Sequence, residues 1–336
     1  MKLLVLLLVV VSAGFIAACS SPDKVYQNNH IAPIEKNPFK FFYVRFFGEQ
    51  EWADQAAQAY QVPRQAVDTQ LINNNDDVGK VTWLGHSSFL VQLKGVNFLT
   101  DPVFSERVSP FSFAGPKRLV PFTFKPEDLP TIDFVVISHN HYDHLDKAAI
   151  KHLGNSTHYF VPQGLGAWFE SMGVASSNIS ELAWWDSEQF ANVQITATPS
   201  QHWSARGLFD RNKTHWASWL IELEGKRLWF AGDTGYNPYD FKEIGQWADG
   251  IDLSFIPIGA YAPRDFMKDQ HVNVSEAMKI HQDVRSKLSI GMHWGTYPLT
   301  AEPVMEPAER LEALNKQQTS SDDFVSMAIG ETMLLD

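Results

Sequence analysis

The stretch Ser138-His139-Asn140-His141-Tyr142-Asp143-His144-Leu145-Asp146 constrains this chain more than any other. It follows a compact apolar run, Phe134-Val135-Val136-Ile137, that reads as a buried strand. It leads into Asp146-Lys147-Ala148-Ala149-Ile150, which reads as a helix with an acidic start. Three histidines and two aspartates therefore share one strand-to-helix loop. Imidazole nitrogens and carboxylate oxygens are the ligand set that divalent zinc favours. Alternate residues of an extended segment point the same way, so His139 and His141 can grip one ion from one side. Asp143 and His144 come as the chain turns and can face a second ion nearby. Two adjacent cations repel unless a carboxylate and a hydroxide lie between them, so more ligands are expected downstream. The bland alternative is a solvated polar loop. Four ligand-type residues within six positions, just after a buried strand, argue against it.

From Gly79 the pattern is one of short strands and tight turns. Val81-Thr82-Trp83-Leu84, Phe89-Leu90-Val91-Gln92-Leu93 and Val96-Asn97-Phe98-Leu99, the last two joined by Lys94-Gly95, carry a hairpin signature. After the histidine loop helical stretches alternate with strands, one helix running over residues 275–284 with Ser275 as its cap. The order predicts a mixed α/β sandwich with helices outside. Three later strands each end in a potential ligand: residues 193–198 before His202, 227–231 before Asp233, and 288–292 before His293. Loops beyond strand ends are where rigid scaffolds hold chemistry. The spacing places His139, His141 and His202 around one metal, with Asp143, His144 and His293 around the other. Asp233 then bridges both. Each ion keeps room for a shared water, whose pKa two cations bring towards neutrality. Zinc suits this set best, and iron and manganese are the alternatives.

At the N-terminus, Lys2 precedes an apolar run over residues 3–11 that is too short to span a bilayer and has the layout of a secretory signal. Ile16-Ala17-Ala18-Cys19 resembles a bacterial lipobox. That resemblance implies cleavage before Cys19 and lipidation of its thiol. Ser20 and Ser21 in place of aspartate point to the outer membrane, facing the periplasm. Cys19 is the only cysteine, so no disulfide forms within the chain. Residues 20–38 read as a tether. Phe39, Phe42, Tyr43, Phe46 and Phe47 fall at helical spacing, either touching lipid or docking on the domain. A further helix is expected from Trp52 to Val67. The domains are therefore a signal peptide at 1–18, a tether and aromatic segment at 19–78, and a hydrolase domain at 79–336. A net charge of −12 disfavours a nucleic-acid partner, and a homo-oligomer is left open.

The histidine loop with His202, Asp233 and His293 resembles the metallo-β-lactamase superfamily, which implies a four-layer αββα sandwich. Longer stretches are similar to the branch of N-acylphosphatidylethanolamine-hydrolysing phospholipase D. They include Gly115-Pro116-Lys117-Arg118, Pro199-Ser200-Gln201-His202-Trp203, Phe230-Ala231-Gly232-Asp233-Thr234-Gly235-Tyr236, Ile256-Pro257-Ile258-Gly259-Ala260-Tyr261 and His293-Trp294-Gly295-Thr296. The resemblance implies hydrolysis of a membrane phospholipid to phosphatidic acid and an N-acylethanolamine by a hydroxide between the metals. Asp233 and Asp143 are then catalytic, and Tyr142 and His271 contact substrate. His271 would also protonate the leaving oxygen.

Simpler roles compete for several residues. Tyr142 could merely pack, and His271 could cap the helix that starts near Ser275. His86 and Asp101 read as supports behind the ligands, while His152, His158, His215 and His281 read as structural. Trp184, Trp185 and Trp203 suit core packing better than a lipid channel. The rival functions are a metallo-hydrolase of a lactone, cyclic phosphodiester or sugar phosphate, and a non-catalytic envelope lipoprotein. A lipid substrate calls for a long apolar groove at the metals. Nothing specific supports β-lactam hydrolysis.

Overall fold

The computed structural model describes residues 25–32, 43–44, 47–48, 50–74, 78–317 and 323–335. Its first six strands are β1 (Gly79–Gly85), β2 (Ser88–Leu93), β3 (Val96–Thr100), β4 (Phe134–Val136), β5 (His158–Pro162) and β6 (Ile179–Leu182). The next seven are β7 (Ser187–Phe190), β8 (Val193–Thr198), β9 (Ser218–Leu223), β10 (Lys226–Phe230), β11 (Ile251–Pro257), β12 (Ser286–Met292) and β13 (Phe324–Val325). The last strand, β14 (Thr332–Leu335), returns to pair antiparallel with β1. One sheet has the order β14-β1-β2-β3-β4-β5-β6, the other β13-β12-β11-β10-β9-β8-β7.

Each sheet is antiparallel over one half and parallel over the other. β1, β2 and β3 form hairpins, and β3 to β6 run parallel. The parallel steps need crossovers: α1 (Lys147–Leu153) and α2 (Gly166–Ser171) lie in the last two, while residues 101–133 link β3 to β4 without an α-helix. In the second sheet β7 to β10 are antiparallel and β10 to β13 parallel. Here the crossovers carry α3 (Asp240–Trp247), α4 (Val274–Asp283) and α5 (Glu306–Gln317).

Strand residues alternate faces, and here both faces are buried. Phe89, Val91, Phe98, Phe134, Val136 and Phe160 join Trp219, Ile221 and Phe230 of the opposite sheet in one core. Their neighbours Leu90, Leu99, Val135, Tyr159 and Val161 face the other way, against Ile150, Leu153 and Phe169 of α1 and α2. That is why these strands read as continuous apolar runs. The result is the four-layer αββα sandwich. The buried Trp219 indole ties the sheets beside the histidine loop, donating from Nε1 to the Ile137 carbonyl at 2.8 Å.

Several expectations need correction. The helix expected from Trp52 to Val67 is a short turn, Gln55–Gln58, followed by a 3₁₀ turn, Ala59–Gln61. Pro63 ends it, because the residue before proline avoids helical geometry and Val62 is extended at ψ 120°. The cap of α4 is Asn273, not Ser275: Asn273 accepts from the Glu276 amide at 2.9 Å, and Glu276 reciprocates at 3.0 Å. Four strands, β7 to β10, follow one another with no α-helix between, because this part of the chain builds the antiparallel half of the second sheet. Residues 25–32 are not a free tether; Tyr26 donates its amide to Asn212 at 2.9 Å. The signal segment, Cys19, Phe39, Phe42 and Phe46 lie outside the described residues, whereas Tyr43 and Phe47 are exposed. No helix among the described residues is long and apolar enough to cross a membrane.

Trp219→Phe keeps an aromatic ring in the core but removes part of its packed volume and leaves the Ile137 carbonyl without its indole partner. We expect a loss of about 1–3 kcal/mol of stability, measured by urea unfolding.

Candidate metal centre

The histidine loop leaves β4 and turns at once. His144 and Leu145 donate their amides back to the His141 carbonyl at 3.2 and 2.9 Å, and Asp146 caps α1 through the Ala149 amide. Gly232 lets the Asp233 loop pass this close, since a Cβ there would stand 2.5 Å from the Ser138 Cβ. His86, Asp101 and His293 hold left-handed backbone at φ 56°, 32° and 64°. Such conformations cost energy in non-glycine residues and gather at functional sites.

Two groups of ligand atoms meet across Asp233. In the first, His139 Nε2 lies 2.7 Å from His141 Nδ1, and His202 Nε2 lies 3.3 Å from the same atom. In the second, His144 Nε2 and His293 Nε2 are 3.2 Å apart, each within 3.6 Å of Asp143 Oδ2. Asp233 spans both. Its Oδ2 is 3.2 Å from His144, 3.8 Å from His202 and 4.0 Å from His139, while Oδ1 is 3.1 Å from His293. All seven sequence-predicted ligands are thus brought together, every one buried except the part-buried His141 and Asp143.

Partners behind the rings set which nitrogen is bare. Ser138 spends its only hydrogen on Asp101, so its oxygen accepts from His139 Nδ1 at 2.9 Å. His202 Nδ1 donates to the Gln270 carbonyl at 3.0 Å, and His144 Nδ1 to Asp101 at 2.6 Å. His139 and His202 thus present a bare Nε2 to the cluster, and His144 does so once it gives up the second proton that Asp233 and Asp143 stabilise. Ring nitrogens 2.7–3.3 Å apart are close enough to share one cation. The donor set of imidazoles and carboxylates fits zinc or a neighbouring transition metal.

Electrostatics divide the two groups. Burial lowers the pKa of His139, His141 (to about 3) and His202, with further lowering from neighbouring histidines. Burial acts the same way on His144 and His293, but Asp233 and Asp143 outweigh it, raising His144 and holding His293 at about 9. Asp233 and Asp143 resist burial because the surrounding histidines keep them ionised, well below the usual carboxylate range.

Asp101 stands behind His144 as expected, but His86 goes further than sequence reading took it. Its Nε2 lies 3.0 Å from Asp143 Oδ2, and it belongs to one potential ligand group with Asp143, His144 and His293. The available signal was Gly85-His86 at a strand end, weak in a lone histidine. His271 does not cap α4. Its Nδ1 is 3.9 Å from Asp233 Oδ2, and Arg264, paired with Glu276, holds its carbonyl at 2.7 Å. Tyr142 donates to the Arg206 carbonyl at 3.1 Å, its ring 4.0 Å from that guanidinium. Arg206 was missed; it also holds the Asn140 and Leu145 carbonyls, bracing the histidine loop. Trp184 and Trp185 pack on the inter-sheet core, whereas Trp203 lies against His141 with ring centroids 4.3 Å apart. His152, His158, His215 and His281 lie outside the ligand groups.

A model of the β-lactamase superfamily domain matches residues 96–294. The chain belongs to the metallo-β-lactamase superfamily. It is 45% identical over 263 residues to N-acyl-phosphatidylethanolamine-hydrolyzing phospholipase D 1 of Caenorhabditis elegans, covering 74% of each chain. A metal-dependent hydrolase of Carboxydothermus hydrogenoformans is 30% identical over 240 residues, 70% of this chain and 93% of that one. The solved metallo hydrolase Igni18 of Ignicoccus hospitalis shares the fold, with a TM-score of 0.58 and 22% identity over 77% of this chain and 99% of that one. This member of the superfamily is thus a metal-dependent hydrolase.

Ligation requires neutral imidazole. His144 and His293 must give up protons to bind, so their ion weakens as pH falls below about 9; the other group stays neutral into acid. With an ion in each group, metal analysis after dialysis from pH 9 to pH 5 should find one lost before the other. Simultaneous loss of both would contradict the division.

Proposed function

We propose that this protein is a two-zinc phosphodiesterase of the phospholipase D type, cleaving N-acylphosphatidylethanolamine-like lipids to phosphatidic acid and N-acylethanolamine. The reading is carried by a cavity of about 300 Å³ beside Tyr142, lined by Arg107, Lys147 and Arg206 against Glu106 and Asp146. Three cationic side chains against two carboxylates leave a small excess of positive charge suited to a phosphodiester. The similarity to the C. elegans enzyme favours a lipid one. Neither this cavity nor a larger one of about 640 Å³ is lined by the ligand groups, but only the smaller is lined by Tyr142 and Asp146 of the histidine loop.

Bound cations would supply Lewis-acid charge and lower the pKa of water. The chain's own residues do the rest. His139, His141 and His202 would hold one ion, Asp143, His144 and His293 the other, and Asp233 both. Tyr142 and the cavity cations orient the phosphate. Water oxygen bonds to phosphorus as the bond from phosphorus to the ethanolamine oxygen breaks. The proton released passes by way of Asp233 and His271 to that oxygen.

The cavity is polar, not the long apolar groove expected for a lipid. Acyl chains would therefore stay in the bilayer. Phe111, Phe113, Leu208 and Phe209, exposed on the loops that frame the cavity, suit contact with them. The same polarity favours a second reading, a water-soluble phosphodiester. Membranes incubated with wild-type protein should gain phosphatidic acid, and those with Asp233→Asn should not. Cleavage of soluble phosphodiesters with lipids untouched would select the second reading.

We also infer anchoring at Cys19, on the periplasmic face of the outer membrane. Six residues lie between Cys19 and Tyr26, so the two are at most about 25 Å apart along extended chain. The His202 side of the site would then lie close to the membrane. Cys19→Ser should move the protein from the membrane to the soluble fraction and abolish labelling by fatty acid.

A further inference from the structure

Residues 26–30 lie across the outside of the His202 loop. Tyr26 donates its amide to the Asn212 carbonyl at 2.9 Å, and its ring packs on His215 with centroids 4.4 Å apart. Asn29 Nδ2 and His30 Nε2 both reach Asp240 Oδ1, at 3.0 and 3.1 Å. Between these two fixings sits Asn28. Its Nδ2 donates to the His202 carbonyl at 2.9 Å, and its Oδ1 accepts from the His202 amide at 3.0 Å.

A carboxamide carries one acceptor and one N–H₂ donor, so it imitates a peptide unit. Asn28 thus pairs with both backbone groups of His202 as a neighbouring strand would. His202 is wholly buried. It lies four residues past the end of β8, outside any ladder. Its ring is fixed at one end only, by the Gln270 carbonyl at 3.0 Å. The position of the Cα, and with it the reach of Nε2, depends on what holds the backbone.

We propose that Asn28 is a positioning residue for the metal ligand His202, and that residues 26–30 form a strap that supports the site from outside the sandwich. The stretch matched by the family model, residues 96–294, holds His202 and leaves the strap outside it. Removing the carboxamide strands a buried N–H and a buried C=O at the ligand's own backbone, and the loop must shift to reach water. The inference rests on reading His202 as a ligand. His202→Ala that still held two ions as wild type does would overturn that reading and this one together.

The test is release of zinc from the full chain to a colorimetric chelator. Asn28→Ala should release one ion about 10–100-fold faster than wild type, the scale on which supports behind ligands act, with the other ion unchanged. Asn28→Asp keeps the acceptor for the His202 amide and loses the donor, so it should fall between. Tyr159→Phe, which removes a hydrogen bond to Gly154 far from the site, is the control for general stability. Wild-type release kinetics in folded Asn28→Ala would overturn the proposal. So would equally fast release from Tyr159→Phe at a matched loss of stability. If Asn28→Ala does not fold, Asn28→Asp decides, and wild-type release from it overturns the strap. Either failure leaves His202 as a ligand.

Discussion

A crowded set of imidazoles and two carboxylates, almost wholly out of water, governs this structure. Ring nitrogens approach to 2.7 Å, and two ionised carboxylates share the same space. Such a set is costly unless a positive charge compensates it. The protein meets part of the cost itself, since His144 and His293 keep protons beside Asp233 and Asp143. The rest calls for cations. The surrounding features serve this arrangement. Ser138, Asp101 and Gln270 turn three rings so that Nε2 faces inward. Gly232 lets two loops touch, and three non-glycine residues accept left-handed backbone.

The sandwich and the gathering of the seven candidate ligands were legible because each rests on a local pattern. A strand buried on both faces writes itself as an apolar run, and His139 to His144 follow such a run at once. His202, Asp233 and His293 were legible by the same rule, each shortly beyond a strand end. What escaped depends on contacts far apart in sequence. His86 lies in a turn with no second ligand near it, and only its meeting with Asp143 at 3.0 Å gives it meaning. The helix expected from Trp52 failed on a local signal that was present: Pro63 overrides the periodicity before it. The cap of α4 was read two residues late because Ser275 and Asn273 are both good caps, and only the reciprocal bond with Glu276 separates them.

The docked segment at 25–32 illustrates the deeper limit. Asn28-Asn29-His30 has the composition of a linker, with little apolar area to bury. It is held instead by side-chain amides and an imidazole reaching polar groups more than 170 residues away in sequence. Hydrogen bonds of this kind carry no periodicity. Composition predicts whether a segment can build a core of its own, and says little about whether it can lie on someone else's.

The ligands also come from both sheets. His139, His141, Asp143 and His144 follow β4 of the first, while His202, Asp233 and His293 follow β8, β10 and β12 of the second. The sheets otherwise meet through apolar packing and a few bonds such as that of Trp219 to Ile137. Cations held by this set would therefore join the two halves of the sandwich at the edge where the chemistry lies. Because a folded site binds metal and an unfolded chain lacks the arrangement, occupancy adds to stability by mass action. Loosening one ligand would weaken both the ion's hold and the closure of the sheets around it. The same four strand ends thus serve as the site and as a clasp, which explains why so many supporting residues converge on rings that never leave the interior.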